Sequence, residues 1–276
     1  MSPDRPPPGT APAAILLCGH GTRSATGVAQ FEQVVAALRA RHPARRIAHG
    51  FLEYARPGLD EAVARLHEDG VRNILVLPVL LFAAGHHKRD LPAILAALGQ
   101  RHAGLVLSLG EPIGLTPALL ETARRLAGRA AAGGAPASAA DTCLLVIGRG
   151  TTDAAVNAEA ALLARRLAGR LGWGVATTGY VAVAAPCVPE AMRLADHPPF
   201  ARVVVLPLVL FDGMLHRNIA RDLASRRARS AREWRLADPF CTDDAWLATL
   251  DARIDGETMP CQFRGHDHHH ARGAAS

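Results

Sequence analysis

The sequence predicts an α/β fold made of two similar, doubly wound parallel-sheet domains, and two observations support this prediction. Short apolar runs alternate with longer stretches in which apolar residues have helical spacing, an order that places helices on the faces of parallel sheets. The pattern also repeats. At an offset of 129 residues "LLCGHGTRSA" (16–25) falls on "LVIGRGTTDA" (145–154), and "VLPVLLF" (76–82) falls on "VLPLVLF" (205–211). The chain is therefore an internal duplication.

In the first copy, four apolar runs predict strands at 13–18, 46–53, 73–82 and 104–110. Helical patterns lie between these strands at 27–42, 58–70 and 88–100. A closing helix is predicted over 116–129, with Thr116 as its N-cap and Pro117 at its first position, where a missing N–H group costs nothing.

The second copy repeats this scheme through "CLLVIG", "VATTGYVAV", "RVVVLPLVLF" and "EWRLA". Between the copies, "GRAAAGGAPASAAD" (128–141) has the Gly, Ala, Pro and Ser content of a linker. We therefore expect domains at 13–130 and 141–254 with a cleft between them, followed by a His-rich, disordered tail at 255–276. Because the two copies can pair with each other, we expect a monomer that is a pseudo-dimer.

Composition narrows the classes of function. The chain has 276 residues, 49% hydrophobic and 20% charged, which is typical of a globular protein. No apolar run reaches the roughly 18 residues of a membrane span, and the first residues lack the apolar core of a signal peptide, so we expect a cytoplasmic protein without a membrane partner. A net charge of +6 favours an anionic partner. Aromatic residues do not interleave with basic ones, so we expect an acidic small molecule and not a nucleic acid.

Cysteines and short motifs exclude further classes. The five cysteines form no C-x-x-C pair, so we expect neither a disulfide scaffold nor an iron–sulfur cluster. GxxxxGK[ST] and GxGxxG fingerprints are absent from the sequence, so no nucleotide cofactor is expected. Phosphoryl transfer at a histidine is disfavoured, because Gly19 stands where such sites usually have an arginine before the histidine.

Three polar residues follow the first three predicted strands. They are His20, Glu53 and His86, separated by two intervals of 33 residues that each correspond to one strand and one helix. Ligands of open parallel sheets bind beyond the carboxyl ends of the strands, so we expect the three side chains to meet at one edge. Two imidazoles and a carboxylate suit a divalent first-row metal. A single histidine is more often structural, and only the joint pattern predicts a metal-binding, catalytic set.

The second copy is an internal control for this hypothesis. At the offset positions Arg149, Ala182 and Leu215 replace the three predicted ligands. His87 has a counterpart in His216, which indicates a structural role for His87 and makes His86 the expected ligand. His87 stays as the alternative, since a shift of one residue in the loop would exchange the two.

These residues resemble the class II chelatases, specifically the long, two-repeat sirohydrochlorin cobaltochelatase and ferrochelatase family. The resemblance is carried by "CGHGTRSATGVAQFEQVVAAL", "GFLEYARPGLDEAVARL" and "VLPVLLFAAGHHKRDLP". It implies insertion of a divalent metal into sirohydrochlorin without ATP, with Co²⁺ favoured and Fe²⁺ or Ni²⁺ as alternatives. It also implies that His20 and His86 bind the metal and assist deprotonation, with the carboxylate of Glu53 beside them.

The implied chemistry agrees with the residue types. Two pyrrole protons must leave as the metal enters, and histidine supplies a base with a pKa near neutrality. Sirohydrochlorin carries eight carboxylates, so basic side chains at the rim of the cleft are expected to bind it. The candidates in the matching loops are Arg23, Lys88, Arg89, Arg149 and Arg217.

The C-terminal tail departs from the family pattern, because its one cysteine, Cys261, cannot supply the cluster motif of some long members. Its histidines at 266 and 268–270 suggest either loose scavenging of metal or a polar tail without a required role. Two alternative functions stay open, a sirohydrochlorin ferrochelatase and a non-catalytic carrier of a tetrapyrrole or metal.

Overall fold

The protein is described by a computed structural model that covers residues 12–82, 90–135, 137–196 and 200–256, together with the backbone of 261–264. Its strands are β1 (Ala14–Gly19), β2 (Ile47–Phe51), β3 (Asn73–Pro78), β4 (Val106–Leu109), β5 (Thr142–Gly148), β6 (Val175–Tyr180), β7 (Arg202–Pro207), β8 (Glu233–Leu236) and β9 (Cys261–Arg264). Its α-helices are α1 (Ala25–Arg41), α2 (Leu59–Glu68), α3 (Leu91–Arg101), α4 (Pro117–Ala132), α5 (Ala154–Leu171), α6 (Val188–Ala195), α7 (Met214–Arg227) and α8 (Ala248–Ile254).

The strands form two sheets, one in each half of the chain. The first sheet has the order β2-β1-β3-β4-β9 and the second β6-β5-β7-β8, and every pair except β4 with β9 is parallel. The first strand of each repeat, β1 or β5, is an interior strand of its sheet, and the chain then adds strands on both sides of it. The predicted fold class, two doubly wound parallel sheets from an internal duplication, is confirmed.

Alternation along the strands explains how the two sheets share one core. In β1, Ile15 and Leu17 face a core that also contains Leu144 and Val146 of β5, together with α1, α4, α5 and α8. The opposite face of β1, with Leu16 and Cys18, packs under α2 and α3. The outer face of the second sheet is covered in the same way by α6 and α7. Because both faces are buried, these strands are continuously apolar.

The helix that closes each repeat packs across the interface between the halves. Helix α4 packs on β7, β8 and α5, which belong to the second half. Helix α8 returns to the first half, where Asp251 forms an ion pair with Arg41 at 2.8 Å and a hydrogen bond with Nε2 of His42 at 2.8 Å, at the end of α1. The buried guanidinium of Arg253 donates hydrogen bonds to the carbonyls of residues 111–113, just after β4. The two predicted domain ranges therefore each supply a sheet, but they exchange their closing helices.

The tail from residue 255 was predicted to be disordered, but one short segment of it forms a strand. The backbone of Cys261–Arg264 forms β9, which pairs antiparallel with β4. Pairing satisfies the N–H and C=O groups that β4, as an edge strand, would otherwise expose. The histidines at 266 and 268–270 lie outside the described residues. Within the described ranges, none of the helices combines the length and apolarity required to cross a bilayer.

Candidate functional site

The carboxyl ends of the central strands meet at one edge of the first sheet. Cys18 of β1 is in register with Gly50 of β2 on one side and Pro78 of β3 on the other. The ladder between β1 and β2 continues past the strands, because the Glu53 N–H donates to the His20 carbonyl at 3.0 Å. His20 and Glu53, which are far apart in sequence, are thus held side by side by a backbone hydrogen bond. Both residues are half-buried.

This approach of two loops requires glycine at two positions. Gly21 has a φ of 92°, and a Cβ at Gly21 would lie 1.7 Å from the Glu53 carbonyl oxygen. A Cβ at Gly19 would lie 2.9 Å from the ring of Phe31. The first glycine allows the loop after β1 to turn onto the loop after β2, and the second lets an aromatic ring pack at the end of β1.

The loop after β2 contains a γ-turn, in which the Ala55 N–H donates to the Glu53 carbonyl at 2.7 Å around Tyr54. Tyr54 has a φ of 61°, a left-handed conformation that is strained for a non-glycine residue. Its side chain is 59% exposed, so burial of the ring does not explain the strain. Strained and exposed residues of this kind cluster at functional sites.

The second half repeats this backbone with different side chains. Gly150 has a φ of 83°, its Cβ would lie 2.0 Å from the Ala182 carbonyl oxygen, and the Ala182 N–H donates to the Arg149 carbonyl at 2.9 Å. Val183, at the position of Tyr54, has a φ of 67°. The duplication therefore preserves the loop geometry, while a guanidinium and a methyl group stand where the first half has an imidazole and a carboxylate.

A cavity of about 610 Å³ lies between the halves, and we name it the apolar cleft. His20 lines it from the first half and Arg149 from the second. Its walls are mainly aromatic and aliphatic, with Phe31, Phe51, Leu80, Phe82, Tyr180, Leu208 and Phe211 among them. The ring of Phe31 lies 4.8 Å from that of Phe51 and 5.7 Å from that of Phe211, centroid to centroid. An apolar space of this size with few polar groups suits a flat organic ligand.

The imidazole of His20 contacts the adjoining backbone. Nδ1 lies 3.3 Å from the Gly21 carbonyl oxygen. A carbonyl oxygen only accepts hydrogen bonds, so in the neutral tautomer that satisfies this contact Nδ1 carries the hydrogen and Nε2 has the lone pair. Histidines that bind metals are commonly oriented in this way by a hydrogen bond from the other ring nitrogen.

Two other histidines near the site were not predicted to have a role in it. His49 of β2 stacks edge-on against Phe31 and Phe51, at centroid distances of 5.9 Å and 5.8 Å. Burial lowers the pKa of His49, and the charge of Arg39 lowers it further. His216 contacts the Asp212 carboxylate through Nδ1 at 3.2 Å, which is consistent with the structural role expected at that position of the repeat.

A second cavity, of about 680 Å³, adjoins the apolar cleft and shares with it Gly21, Thr22, Met214 and Asn218. Arg23, Arg217 and Arg221 line this second cavity, which we name the arginine pocket. Arg221 was missed from the sequence. The available signal was its position four residues after Arg217, on the same face of a helix.

The predicted site residues thus divide into three groups. His20 and Glu53 are brought together, and Arg23, Arg149 and Arg217 lie around the two adjoining cavities. The remaining candidates, His86, His87, Lys88 and Arg89, lie outside the described residues. In the part of the chain that the structure describes, no three His, Cys, Asp or Glu side chains form a metal-binding group.

The family is shown by comparison with known proteins, since the CbiX family model matches residues 14–130 and again residues 143–257. The chain belongs to the CbiX family. This CbiX-family chain is 27% identical over 243 residues to the "Sirohydrochlorin ferrochelatase" of Priestia megaterium, covering 87% of this chain and 89% of that protein. It is 25% identical over 262 residues to the "Sirohydrochlorin cobaltochelatase" of the same organism, covering 91% and 84%.

A solved structure supports the fold of this CbiX-family chain independently. SirB from Bacillus subtilis with Fe³⁺ superimposes with a TM-score of 0.76 at 22% identity, covering 88% of this chain and 96% of that chain. At this identity the likeness concerns the fold alone. The fold of two paired sheets is therefore shared with this solved structure.

Proposed function

We propose that this CbiX-family chain is a sirohydrochlorin chelatase, which inserts a divalent metal into sirohydrochlorin without ATP. The observation that supports it most directly is that His20 lines the apolar cleft and that a backbone hydrogen bond holds Glu53 beside it. The names of its Priestia megaterium relatives point to the same substrate.

Each part of the site has a role in this proposal. The apolar cleft holds the macrocycle and excludes water from its nitrogens. Nε2 of His20 binds the incoming metal or accepts a pyrrole proton, and the carboxylate of Glu53 provides a second ligand or base beside it. His86, outside the described residues, is the proposed third member. Neutral imidazoles bind a metal weakly enough that the four nitrogens of the macrocycle can remove it.

The identity of the metal is a finer part of the proposal. The two curated relatives above are named for iron and for cobalt, at almost equal identity. We propose Co²⁺ on the strength of the long, two-repeat form and the His-rich tail, with Fe²⁺ as the alternative and Ni²⁺ behind it. A nitrogen and oxygen ligand set does not by itself select among these ions. The absence of a nucleotide or a cluster, a monomeric state and a cytoplasmic location stay predictions.

The test is to mix the purified protein with sirohydrochlorin and Co²⁺, Fe²⁺ or Ni²⁺ and to follow the absorbance change as metal enters the ring. His20→Ala and His86→Ala should abolish the catalysed rate. His67 is a half-buried histidine at the end of α2 that lines neither cavity, so His67→Ala is the matched control and should leave the rate unchanged. If His20→Ala inserts metal at the wild-type rate, the proposed mechanism is wrong.

The same assay separates an enzyme from a non-catalytic carrier. A Glu53→Gln variant of the enzyme should retain Co²⁺ binding, measured by calorimetry, and lose turnover. A wild-type protein that binds sirohydrochlorin and Co²⁺ but never exceeds the uncatalysed rate of insertion would be a carrier.

A further inference from the structure

The arginine pocket is assembled from both halves of the molecule. Arg23 comes from the loop before α1, whereas Arg217 and Arg221 lie one turn apart on α7. The loop before α7 rests on α1, because the Asp212 N–H donates to Oε1 of Gln30 at 2.7 Å. A Cβ at Gly27 of α1 would lie 2.3 Å from the Asp212 carbonyl oxygen, so this contact leaves no room for a side chain. The three guanidinium groups therefore share one concave surface that neither half has alone.

Each guanidinium is oriented by a neighbouring group. Cζ of Arg23 lies 4.9 Å from the centroid of the Tyr54 ring. Nη2 of Arg217 donates to Oγ of Ser24 at 2.6 Å, and Nη2 of Arg221 donates to Oδ1 of Asn218 at 2.5 Å. A guanidinium has five N–H donors, so these contacts leave capacity for a bidentate bond to a carboxylate. The strained γ-turn at Tyr54 thus holds an aromatic ring where Arg23 can stack on it.

The described residues around this pocket differ in charge from those at the matching positions of the second half. No aspartate or glutamate is among the described residues that line it, and the Asp212 carboxylate of the adjoining cleft lies 3.7 Å from Nε of Arg217, which leaves the Nη groups of Arg217 toward the pocket. At the offset positions of the second half, Thr152 replaces Arg23 and Val183 replaces Tyr54. Asp153, an acidic residue, takes the N-cap position that Ser24 has in the first half. Among the described residues, the positions that match Arg23 and Ser24 are therefore neutral and acidic on the side of Arg149.

We propose that the arginine pocket is a carboxylate clamp, which binds one edge of the macrocycle and selects tetrapyrroles with many carboxylates over those with few. The inference rests on the proposed function, because the pocket adjoins the apolar cleft where the macrocycle would lie. A ring in the cleft directs its peripheral acidic chains outward, and Gly21 and Thr22 are shared walls of both cavities. Arginine provides the planar, paired donors that match a carboxylate. Arg221 is the one arginine of this clamp that was not predicted from the sequence to bind substrate.

The test compares the binding of two metal-free macrocycles, sirohydrochlorin with eight carboxylates and a porphyrin with two, by fluorescence titration. Arg217→Gln with Arg221→Gln should weaken binding of sirohydrochlorin by about 25-fold, since exposed charge pairs are worth about fivefold each. Binding of the two-carboxylate porphyrin should change far less. Arg217→Lys with Arg221→Lys keeps the charge without the paired geometry and should fall between. Arg166→Gln, exposed on α5 outside both cavities, is the matched control and should bind like wild type.

The outcomes separate the clamp from the chelatase. An equal loss for both macrocycles, or no loss for either, in a variant that melts at the wild-type temperature would overturn the clamp. If the wild-type protein inserts metal while the double variant binds normally, the chelatase stands without the clamp. If the loss is selective for sirohydrochlorin but the wild-type protein never inserts metal, the clamp stands and the enzymatic function is wrong. The selective loss of sirohydrochlorin affinity should also become smaller as the salt concentration is raised, because salt screens exposed pairs of arginine and carboxylate.

Discussion

Gly21 has no room for a side chain, and the second half supplies a matched comparison in Gly150. A Cβ at Gly21 would lie 1.7 Å from the Glu53 carbonyl oxygen, and a Cβ at Gly150 would lie 2.0 Å from the Ala182 carbonyl oxygen. Both glycines have positive φ, at 92° and 83°. Replacement by alanine therefore adds backbone strain and also forces two loops apart in each half.

The cost in stability follows from two contributions. An L-residue in the left-handed region costs about 1–2 kcal/mol. Separation of the loops weakens the hydrogen bond from the Glu53 N–H to the His20 carbonyl, worth about 1 kcal/mol. We expect Gly21→Ala and Gly150→Ala each to lower the free energy of unfolding by about 2–3 kcal/mol. For a protein of this size that is a fall in Tm of about 3–5 °C, measurable by circular dichroism.

The two variants should differ in activity well below their melting temperatures. Gly21→Ala displaces His20 relative to Glu53, and a misplacement of this kind should lower kcat for metal insertion by about 100-fold. Gly150→Ala displaces Arg149, which is proposed only to bind substrate, so KM should rise while kcat is retained. Equal losses of kcat in the two variants, or a wild-type Tm in either, would refute this reasoning.

Three further predictions concern titration, packing and reactivity. Burial lowers the pKa of His49, so the unfolded chain takes up its proton first as the pH falls, and stability should decrease below about pH 6.5. Urea unfolding at neutral and acidic pH should show that His49→Gln loses less stability on acidification than the wild-type protein. An equal loss in the two proteins would contradict the lowered pKa of His49. Arg253→Met leaves the carbonyls of residues 111–113 without their donor and should cost about 3 kcal/mol in urea unfolding, with Arg253→Lys intermediate. Burial raises the pKa of Cys18 to about 12, so iodoacetamide should alkylate exposed Cys187 and spare Cys18 in the folded protein, as judged by mass spectrometry. Equal labelling of the two cysteines would show that the end of β1 is open to solvent.

Much of the fold was accessible from the sequence, because its signals are local. The sequence predicted every strand of β1 to β8: β1, β3, β5 and β7 are almost entirely buried and read as apolar runs, whereas the less buried β6 and β8 were recognised through the repeat. Their ends were predicted less well. The predicted strand 73–82 extends beyond Pro78, where β3 ends. Residues 79–82 are apolar because they line the apolar cleft and not because they belong to a strand.

The candidate site was accessible in part, through the spacing of the repeat. His20 and Glu53 are separated by the length of one strand and one helix, which predicts that they lie at the same edge of the sheet. The backbone hydrogen bond between them agrees with that prediction. The arginine pocket was only partly predicted. Arg23 and Arg217 were singled out, but the role of Tyr54 was not, because a strained γ-turn leaves no signature in a residue type that is common in loops.

The sequence by itself determined the duplicated α/β architecture and the edge at which polar residues collect. Apolar strand runs and helix periodicity are local patterns, and the repeat is a direct comparison of such patterns, so all three can be recognised without the structure. Only the tertiary structure decided which helix covers which sheet and which arginines share a pocket. Helix α4 follows the first repeat but packs on the second, and Arg23 meets Arg217 across almost two hundred residues. The physical reason is that such pairings depend on how two complete sheets bury their remaining apolar faces against each other, and that is a property of the assembled surfaces and of no single segment.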